Sequence, residues 1–345
     1  MKKSQILLLV LSIASTLSAQ FDRVDVYPDL EGDELRAALV ADYKINSPYD
    51  YGEARDILFG EIDIKNDSLT CVYTGYTIYL NPSLDPTETA FAQGINTEHT
   101  FPRSKGADDF TPGYRDMHHL FPTLADVNAA RGSLPFAEIP DALTDEWFFN
   151  NNEQNNIPSS NIDSYSEYQQ NVAFEPREDH KGNVARSYFY FYTMYTFQAD
   201  VADPNFFEQQ RATMCDWHYA DPVDQREWNR SKNIAATQGN ENPFILDCRL
   251  ARLYCDDITE ACLTVNVEES ISTAGTAAID ADRILISGHD IGSKAHLYST
   301  QGQLLSTTII MDQQSIIDVS SLPHGMYILV VSNGTRSTST YKLAR

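Results

Sequence analysis

Basic side chains are scarce in this sequence. Its 345 residues include 25 Lys and Arg against 49 Asp and Glu, a formal net charge of −24. Because surfaces that bind nucleic-acid phosphates are normally basic, this balance argues against a nucleic-acid partner. The charge is unevenly distributed, however: residues 98–131 hold 4 basic and 5 acidic side chains and three of the eight histidines. That nearly neutral stretch weakens the objection without removing it.

Long apolar runs are also missing. No segment approaches the roughly 18 apolar residues of a membrane-spanning helix, so we expect no membrane span. A shorter apolar run at residues 6–14 follows two lysines and precedes the small residues Leu17-Ser18-Ala19. This order is typical of a secretory signal peptide. We predict a signal peptide at residues 1–19 and a secreted or cell-surface protein; a buried N-terminal helix is the alternative.

The paired C-x-x-C spacing of structural zinc sites is absent. The five cysteines are Cys71, Cys215, Cys248, Cys255 and Cys262. In an oxidising compartment we expect one or two disulfides, and an odd number of cysteines leaves one thiol unpaired. A metal cluster formed by the last three cysteines is the less favoured alternative.

The composition changes near residue 266. Upstream the sequence is acidic and aromatic, and downstream it alternates between polar residues and Ile, Leu or Val, as strands with one buried face do. We predict a domain at residues 20–265, a small polar linker at 265–278 and a small all-β sandwich at 266–345. The predicted strands are residues 283–287, 295–299 and 326–331, and the predicted turns are Gln301-Gly302 and Asn333-Gly334.

Residues 184–197 are apolar and aromatic on nearly every face of a helix. A helix of this kind is buried on most sides. We therefore predict a buried central helix; a platform on which bases stack is the alternative.

A carboxylate and an imidazole are adjacent at Glu98-His99. Neighbouring strand residues point to opposite faces, so both serve one reaction only if the chain bends here, and Pro102 favours an irregular segment. Glu98 offers an oxygen ligand of the kind that Mg²⁺ prefers. His99, with an ordinary pKa of about 6.5, accepts a proton from water near neutral pH. Such a pair is common by chance, so further residues must complete a site.

A second group of chemically active residues follows downstream. Thr123 and Asp126 have the spacing of a helix-capping box, which predicts a helix over residues 124–131. Asn128 and Arg131 would share one face of this helix. An amide oxygen and a guanidinium side by side suit a metal ligand and a phosphate contact; a solvent-facing Asn128 is the alternative.

These residues belong to an ordered series of motifs. The motifs are Asn96-Thr97-Glu98-His99-Thr100-Phe101-Pro102-Arg103-Ser104, Asp116-Met117-His118-His119-Leu120-Phe121-Pro122, Val127-Asn128-Ala129-Ala130-Arg131, Phe174-Glu175-Pro176, Lys181-Gly182-Asn183-Val184-Ala185-Arg186, Asp221-Pro222-Val223-Asp224 and Gln238-Gly239-Asn240-Glu241-Asn242-Pro243-Phe244. The series resembles the endonuclease I family of secreted or periplasmic non-specific nucleases. The resemblance implies an α+β fold around a ββα-metal core, the His-Me finger, elaborated with helices.

The resemblance also implies roles for individual residues. Glu98 and Asn128 would hold a single Mg²⁺, with Mn²⁺ or Ca²⁺ as alternative ions. His99 would be the general base that activates the attacking water, while the metal offsets charge on the phosphate and stabilises the leaving oxygen.

The family's phosphate-contacting arginine is harder to place, because in some relatives it lies in an insertion that this sequence lacks. Arg131 is the first candidate for this catalytic role, and Arg103 and Arg115 follow. Asp116 and His118 would point the same way on an extended segment. They would then either orient the site through a hydrogen bond or form a purely structural pair.

The C-terminal module carries a second set of motifs. They are Gly325-Met326-Tyr327-Ile328-Leu329-Val330-Val331, the Asn333-Gly334 turn and the basic end Tyr341-Lys342-Leu343-Ala344-Arg345. They resemble the C-terminal sorting domain of the type IX secretion system. The resemblance implies the type IX machinery as a partner and export through the outer membrane; an ordinary β-sandwich binding domain is the alternative.

Three functions follow from these observations. The first is a Mg²⁺-dependent, non-specific endonuclease acting on DNA, with RNA as a second substrate, because nothing in the sequence is equipped to read base edges. The second, which the acidic charge motivates, is a metal-dependent hydrolase of another phosphodiester. The third is an inactive surface-binding protein, which the intact Glu98, His99 and Asn128 disfavour. We expect a monomer.

Overall fold

The computed structural model describes residues 24–45, 47–256 and most of 276–344; in the last range, residues 281, 290, 300–302, 313, 321, 324 and 333–337 are not described. The chain divides into two compact units, residues 1–263 and 264–345. Several predictions lie outside the described residues: the signal peptide at 1–19, both C-terminal turns, Cys262 and most of the linker.

Helices form the greater part of the first unit. Its α-helices are α1 (Gly32–Tyr43), α2 (Tyr51–Ile57), α3 (Pro86–Ala92), α4 (Ala125–Arg131), α5 (Lys181–Ala202), α6 (Arg211–Ala220), α7 (Gln225–Gln238) and α8 (Pro243–Leu246). Two of them start at aspartate caps, since Asp85 accepts from the backbone N–H of Glu88 and Asp224 from that of Glu227. None of the described helices is long and apolar enough to cross a membrane.

The strands of this unit are short. They are β1 (Ser68–Thr70), β2 (Thr77–Tyr79), β3 (Ile95–His99), β4 (Leu120–Leu124), β5 (Glu146–Phe149), β6 (Asn152–Gln154), β7 (Ser166–Gln169) and β8 (Ala173–Glu175). β1–β2 and β3–β4 are separate antiparallel pairs, and the others form an antiparallel sheet in the order β6-β5-β7-β8. Helices beside separate antiparallel sheets make an α+β fold, which confirms the predicted class.

Helix α5 runs through the core of this unit. Tyr188, Phe189 and Phe191 are fully buried on successive faces of it, as expected for a helix that is apolar all round. The prediction of a buried helix at 184–197 is confirmed, except that Phe197 at its end is 78% exposed. Aromatic core packing therefore accounts for this segment without a stacking platform.

A disulfide between Cys215 and Cys255 ties α6 to the segment that follows α8. Cys248 is disulfide-bonded as well, while Cys71 is a buried free thiol. The expectation of disulfides is thus confirmed, and among the four described cysteines Cys71 is the unpaired one.

The second unit is a small β-sandwich. Its strands are β9 (Thr276–Asp280), β10 (Arg283–Ser287), β11 (Lys294–Ser299), β12 (Leu304–Ile309), β13 (Gln314–Asp318), β14 (Met326–Ser332) and β15 (Thr338–Ala344). Two antiparallel sheets, β13-β10-β9 and β12-β11-β14-β15, share a core that includes Ile284, Leu297 and Leu329. The three predicted strands are confirmed, but the linker was predicted too long, because β9 already pairs with β10 from Thr276 onwards.

Candidate active site

Strands β3 and β4 and helix α4 form a ββα unit. The two strands pair antiparallel with Glu98 opposite Phe121, and α4 begins directly after β4. Glu98 and His99 are the last two residues of β3, and the chain bends immediately after them, at Thr100 and Phe101. The ββα core implied by the resemblance is therefore present.

The start of α4 differs from the prediction. Leu124 is its N-cap and makes no side-chain capping bond. Thr123 is instead a buried residue of β4, and its hydroxyl lies 3.4 Å from Cys71 Sγ. The predicted Thr123–Asp126 capping box was wrong because strand pairing extends to Leu124 and holds Thr123 in the sheet.

An open cleft of about 380 Å³ lies over the ββα unit. Five of the residues predicted from the sequence line it, namely Glu98, His99, Arg103, Asn128 and Arg131. Arg115, Asp116 and His118 are not among its lining residues. The remaining wall is formed by Tyr51, Asn96, Thr97, Pro102, Ala125, Ala129, Gly132 and Ser133.

His99 is anchored through one ring nitrogen. Nε2 lies 2.9 Å from the carbonyl oxygen of Tyr114; because a carbonyl only accepts, Nε2 carries the hydrogen and Nδ1 has the lone pair. The ring is stacked on Tyr114 with 5.0 Å between centroids. Burial lowers the pKa of His99 well below its usual range, and His119 lowers it further. The imidazole is therefore neutral near pH 7, with Nδ1 able to accept a proton.

Asn128 is oriented by two acceptors. Its Nδ2 donates to Asn96 Oδ1 at 2.8 Å and to the carbonyl oxygen of Thr97 at 3.1 Å. Since the Thr97 carbonyl only accepts, the amide nitrogen must face it, and this fixes which end of the amide is oxygen. Oδ1 of Asn128 is thereby the end of the amide left for the cleft.

Glu98 is 2% exposed, although it borders the cleft. Its Oε1 accepts from the Tyr73 hydroxyl at 2.8 Å and lies 3.2 Å from Arg131 Nη1. Burial raises the pKa of Glu98, an effect that Arg131 and the Tyr73 hydroxyl oppose. Both of these partners favour the ionised form of the carboxylate.

Arg131 is fully buried, although it is among the residues that border the cleft. Besides its ion pair with Glu98, its Nη1 donates to the carbonyl oxygens of His99 and Gly132, each at 3.2 Å, and its Nη2 donates to that of Thr100 at 2.6 Å. Its guanidinium also stacks over Phe136 at 4.5 Å. Both Nη groups are therefore engaged inside the protein, and Nε is buried without a partner. This burial does not favour the predicted phosphate contact.

Arg103 and Arg115 differ in position. Arg103 borders the cleft with a side chain that is 55% exposed, pairs with Asp109 and lies over the Tyr114 ring at 5.1 Å. Arg115 pairs with Asp50 at 3.0 Å, away from the cleft lining. Of the three predicted arginines, Arg103 is the one whose guanidinium is accessible at the cleft.

Asp116 and His118 do not form the predicted side-chain pair. Asp116 caps a 3₁₀ turn, and its Oδ1 accepts from the backbone N–H of His118 at 3.2 Å. Its Oδ2 accepts from the hydroxyls of Tyr190 and Tyr195 at 2.7 and 2.8 Å, while His118 Nε2 donates to the carbonyl oxygen of Asn240. The extended segment assumed for this pair was wrong because the aspartate caps a turn instead. Both side chains brace the core around α5.

Sequence reasoning missed three tyrosines. Tyr51 lines the cleft, Tyr114 holds His99 and Tyr73 holds Glu98. They lie on three separate segments without a shared spacing. The only available signal was the high tyrosine content of 19 residues, which does not single out any position.

The donor set suits a hard divalent cation. Glu98 contributes a carboxylate oxygen and Asn128 an amide oxygen, and Mg²⁺ typically takes few protein ligands and keeps several waters. Among the described residues, no group of three or more His, Cys, Asp or Glu could hold a metal ion.

Two family models match the chain. One, described as Endonuclease I, matches residues 34–248, and the other, described as Secretion system C-terminal sorting domain, matches residues 275–344. The second match identifies the β-sandwich unit as a sorting domain. With extracellular relatives, it makes this a secreted or cell-surface protein.

Several characterised nucleases are similar over part of their length. An extracellular ribonuclease of Bacillus subtilis (strain 168) is 32% identical over 167 residues, 44% of this chain and 50% of the relative. An extracellular deoxyribonuclease of Aeromonas hydrophila is 30% identical over 144 residues, 40% of this chain and 52% of the relative. A periplasmic deoxyribonuclease of the same species is 29% identical over 136 residues, 38% and 46% of the two chains. This chain spans about half the length of the curated relatives it matches.

The family match, the ββα unit and the residues gathered at its cleft agree with one another. The matched residues 34–248 contain every residue of that cleft and make up more than half of the sequence. This chain belongs to the endonuclease I family.

Proposed function

We propose that this protein is a secreted, metal-dependent endonuclease that hydrolyses phosphodiester bonds of DNA, with RNA as a second substrate. The observation that carries the proposal is the convergence of three groups in one cleft. These are the Nδ1 lone pair of His99, the carboxylate of Glu98 and the amide oxygen of Asn128. Membership of the endonuclease I family supports it.

Glu98 and Asn128 are the residues that would hold the metal ion. Carboxylate and amide oxygens favour Mg²⁺, with Mn²⁺ and Ca²⁺ as the ions to compare. When bound, the ion supplies positive charge against the negative charge that develops on the phosphate and the leaving oxygen. Few protein ligands leave room for water and a substrate phosphate beside it.

His99 acts as the general base. A proton of the attacking water passes to Nδ1 while the water oxygen bonds to phosphorus. The bond from phosphorus to the 3′ oxygen breaks, and that oxygen leaves with the electron pair and takes a proton from solvent. The Tyr114 carbonyl, which accepts from Nε2, keeps the ring in place and stabilises the imidazolium until its proton is lost to solvent.

We assign the phosphate contact to Arg103 rather than to Arg131 or Arg115. The Arg103 guanidinium is exposed at the edge of the cleft and is held near Tyr114, which also anchors His99. A guanidinium there would donate two hydrogen bonds to a phosphate that approaches the base.

Non-specific cleavage fits this arrangement. The groups proposed to touch the substrate meet phosphate and water and carry no information about base edges. The similar proteins include a ribonuclease and deoxyribonucleases, which supports testing both nucleic acids. Affinity that depends on phosphate contacts should fall as salt concentration rises.

Digestion of plasmid DNA and of RNA, each with Mg²⁺ and with EDTA, tests the proposal. We expect both substrates to be cut with Mg²⁺ and neither with EDTA. Intact DNA and RNA in the presence of Mg²⁺, Mn²⁺ and Ca²⁺ would overturn it.

The net charge of −24 favours a second candidate, a hydrolase of small phosphodiesters, because a small substrate needs no extended basic surface. Bis(p-nitrophenyl) phosphate hydrolysis by a protein that leaves polynucleotides intact would support this candidate.

The sorting domain supports the type IX secretion machinery as a partner. Deleting residues 275–344 in the producing cell should keep the nuclease out of the medium and off the cell surface, and unchanged export would contradict this. We also expect the exported protein to be a monomer, as size-exclusion chromatography with light scattering would test.

A further inference from the structure

The proposed metal ligand Glu98 accepts a hydrogen bond from Tyr73, a residue outside the cleft. Tyr73 is not among the cleft-lining residues and is fully buried, yet its hydroxyl donates to Glu98 Oε1 at 2.8 Å. Arg131 Nη1 approaches the same oxygen at 3.2 Å. A hydroxyl donor and the positive charge of Arg131 therefore meet at one carboxylate oxygen, while the Arg131 Nη1 hydrogens are donated to the carbonyl oxygens of His99 and Gly132.

This asymmetry determines which Glu98 oxygen is available. A carboxylate whose Oε1 accepts from a hydroxyl and lies beside a guanidinium is restrained in its last torsion angle. Oε2 then remains for a cation at the cleft. Hydrogen bonds that fix a ligating carboxylate commonly tune the affinity for the metal.

Tyr73 is itself rigidly placed. Its ring packs against Phe174 with 4.9 Å between centroids, and its carbonyl oxygen accepts from Ser166 Oγ at 2.7 Å. It lies in the connection between β1 and β2, which is joined to β4 where Val72 N–H donates to the carbonyl oxygen of Pro122 at 3.0 Å. Tyr73 is thus anchored both to the four-stranded sheet, through Ser166 and Phe174, and to the ββα unit.

The same connection needs a glycine. Gly75 has a φ of +74°, and a Cβ there would lie 2.6 Å from Arg177 Nη1. A side chain at this position would strain the backbone and displace Arg177. The tight turn keeps Tyr73 in the position from which it reaches Glu98.

We propose that Tyr73 is a positioning residue for divalent-metal binding: its hydroxyl, together with Arg131, fixes Glu98 so that Oε2 is presented to the ion. This inference rests on the proposed function of Glu98 as a metal ligand. Arg131 contributes to the same arrangement and also binds the carbonyl oxygen of His99. Tyr73 is the sharper test, because its hydroxyl is removable without taking a charge out of the core.

The chain offers a closely matched control. Tyr195 is also fully buried, and its hydroxyl donates to a carboxylate, Asp116 Oδ2, at 2.8 Å. Neither Tyr195 nor Asp116 lines the cleft. Tyr73→Phe and Tyr195→Phe therefore each remove one buried tyrosine–carboxylate hydrogen bond, and only the first touches the proposed ligand.

The experiment measures metal binding without substrate. Mn²⁺ is titrated into the full-length wild type and each variant, and the concentration of free Mn²⁺ is measured by electron paramagnetic resonance. Competition with added Mg²⁺ then gives the Kd for Mg²⁺. We expect Tyr73→Phe to raise the Kd for both ions by roughly 10-fold or more, whereas Tyr195→Phe leaves the Kd unchanged. DNA cleavage should show the same shift in the Mg²⁺ requirement, with kcat largely restored at saturating Mg²⁺.

Three results would count against the inference. An unchanged Kd in Tyr73→Phe would overturn it. An equal rise of the Kd in Tyr73→Phe and Tyr195→Phe would also overturn it, because the effect would then come from general destabilisation. Asn128→Ala separates this outcome from failure of the proposed function. If Asn128→Ala weakens Mn²⁺ binding and Tyr73→Phe does not, only the inference fails; if wild type binds no ion, both fail.

Discussion

The carbonyl oxygen of Tyr114 lies 2.9 Å from His99 Nε2, and this contact decides which ring nitrogen is available for chemistry. The hydrogen on Nε2 points to the main chain, so Nδ1 is the basic atom. Burial lowers the pKa of the ring, which keeps it unprotonated near neutral pH. In the proposed mechanism, the ring is therefore already unprotonated when it meets the attacking water.

Replacing this base should abolish most of the activity. We expect His99→Ala to lower the rate of plasmid cleavage about 10²- to 10⁴-fold, the usual contribution of general base catalysis, with an unchanged circular dichroism spectrum. His296→Ala, in the β-sandwich unit, is the control and should cut at the wild-type rate. A His99→Ala variant as fast as wild type would remove His99 from the mechanism.

Removing the amide ligand should weaken metal binding. Asn128→Ala loses the oxygen oriented by the Asn96 and Thr97 contacts, so we expect the Mg²⁺ concentration for half-maximal activity to rise roughly 10-fold or more. Asp126→Ala alters an exposed residue on the same helix and should leave the Mg²⁺ requirement as in wild type. Identical Mg²⁺ titrations for Asn128→Ala and wild type would exclude Asn128 as a ligand.

Replacing Arg103 and replacing Arg115 should have different effects on DNA cleavage. Arg103→Met should reduce kcat/KM for DNA by about 10-fold or more, because a charge-assisted contact to phosphate is lost. It should also lower the slope of log(kcat/KM) against log(salt concentration) by about one. Arg115→Met, whose partner is Asp50, should change neither quantity. Equal effects of the two substitutions would point to a general loss of positive charge instead.

Buried histidines should make stability depend on pH. Burial, and then Arg186, lowers the pKa of His218 from 6.5 to about 3, while the unfolded chain retains a value of about 6.5. Between these values the unfolded state binds a proton that the folded state does not. The His218 contribution to the free energy of unfolding therefore falls by up to about 1.4 kcal/mol per pH unit as pH decreases.

His218→Gln carries no titrating group and isolates this contribution. As the pH falls from about 6 to about 4, the free energy of unfolding of wild type should decrease relative to that of the variant. We expect this relative decrease to be up to about 1.4 kcal/mol per pH unit. Urea unfolding at each pH measures it with the disulfides intact. Two parallel stability curves would mean that His218 is protonated equally in the folded and unfolded states.

Local sequence patterns were sufficient for several elements. Alternating apolar residues predicted β10, β11 and β14, since a period of two describes one buried face of a strand. The apolar run at 184–197 predicted the buried part of α5. The order of motifs also led from Glu98 and His99 to Asn128, and the structure places these three residues around one cleft.

Long-range contacts decided what those patterns left open. Thr123 has the local features of a helix cap, but pairing with β3 keeps it in a strand. Asp116 receives the hydroxyls of Tyr190 and Tyr195, which lie 74 and 79 residues later in the chain. No local spacing contains this information, because the partners meet only when α5 packs beside the turn.

The sequence by itself determined the family, the division into an endonuclease I-like unit and a β-sandwich, and the grouping of a carboxylate, an imidazole and an amide. Only the tertiary structure decided that Arg131 is buried while Arg103 remains accessible, and that the Tyr73 hydroxyl donates to Glu98. The physical reason is that helical periodicity places a side chain on a face, whereas packing against distant segments decides whether that face meets core or solvent.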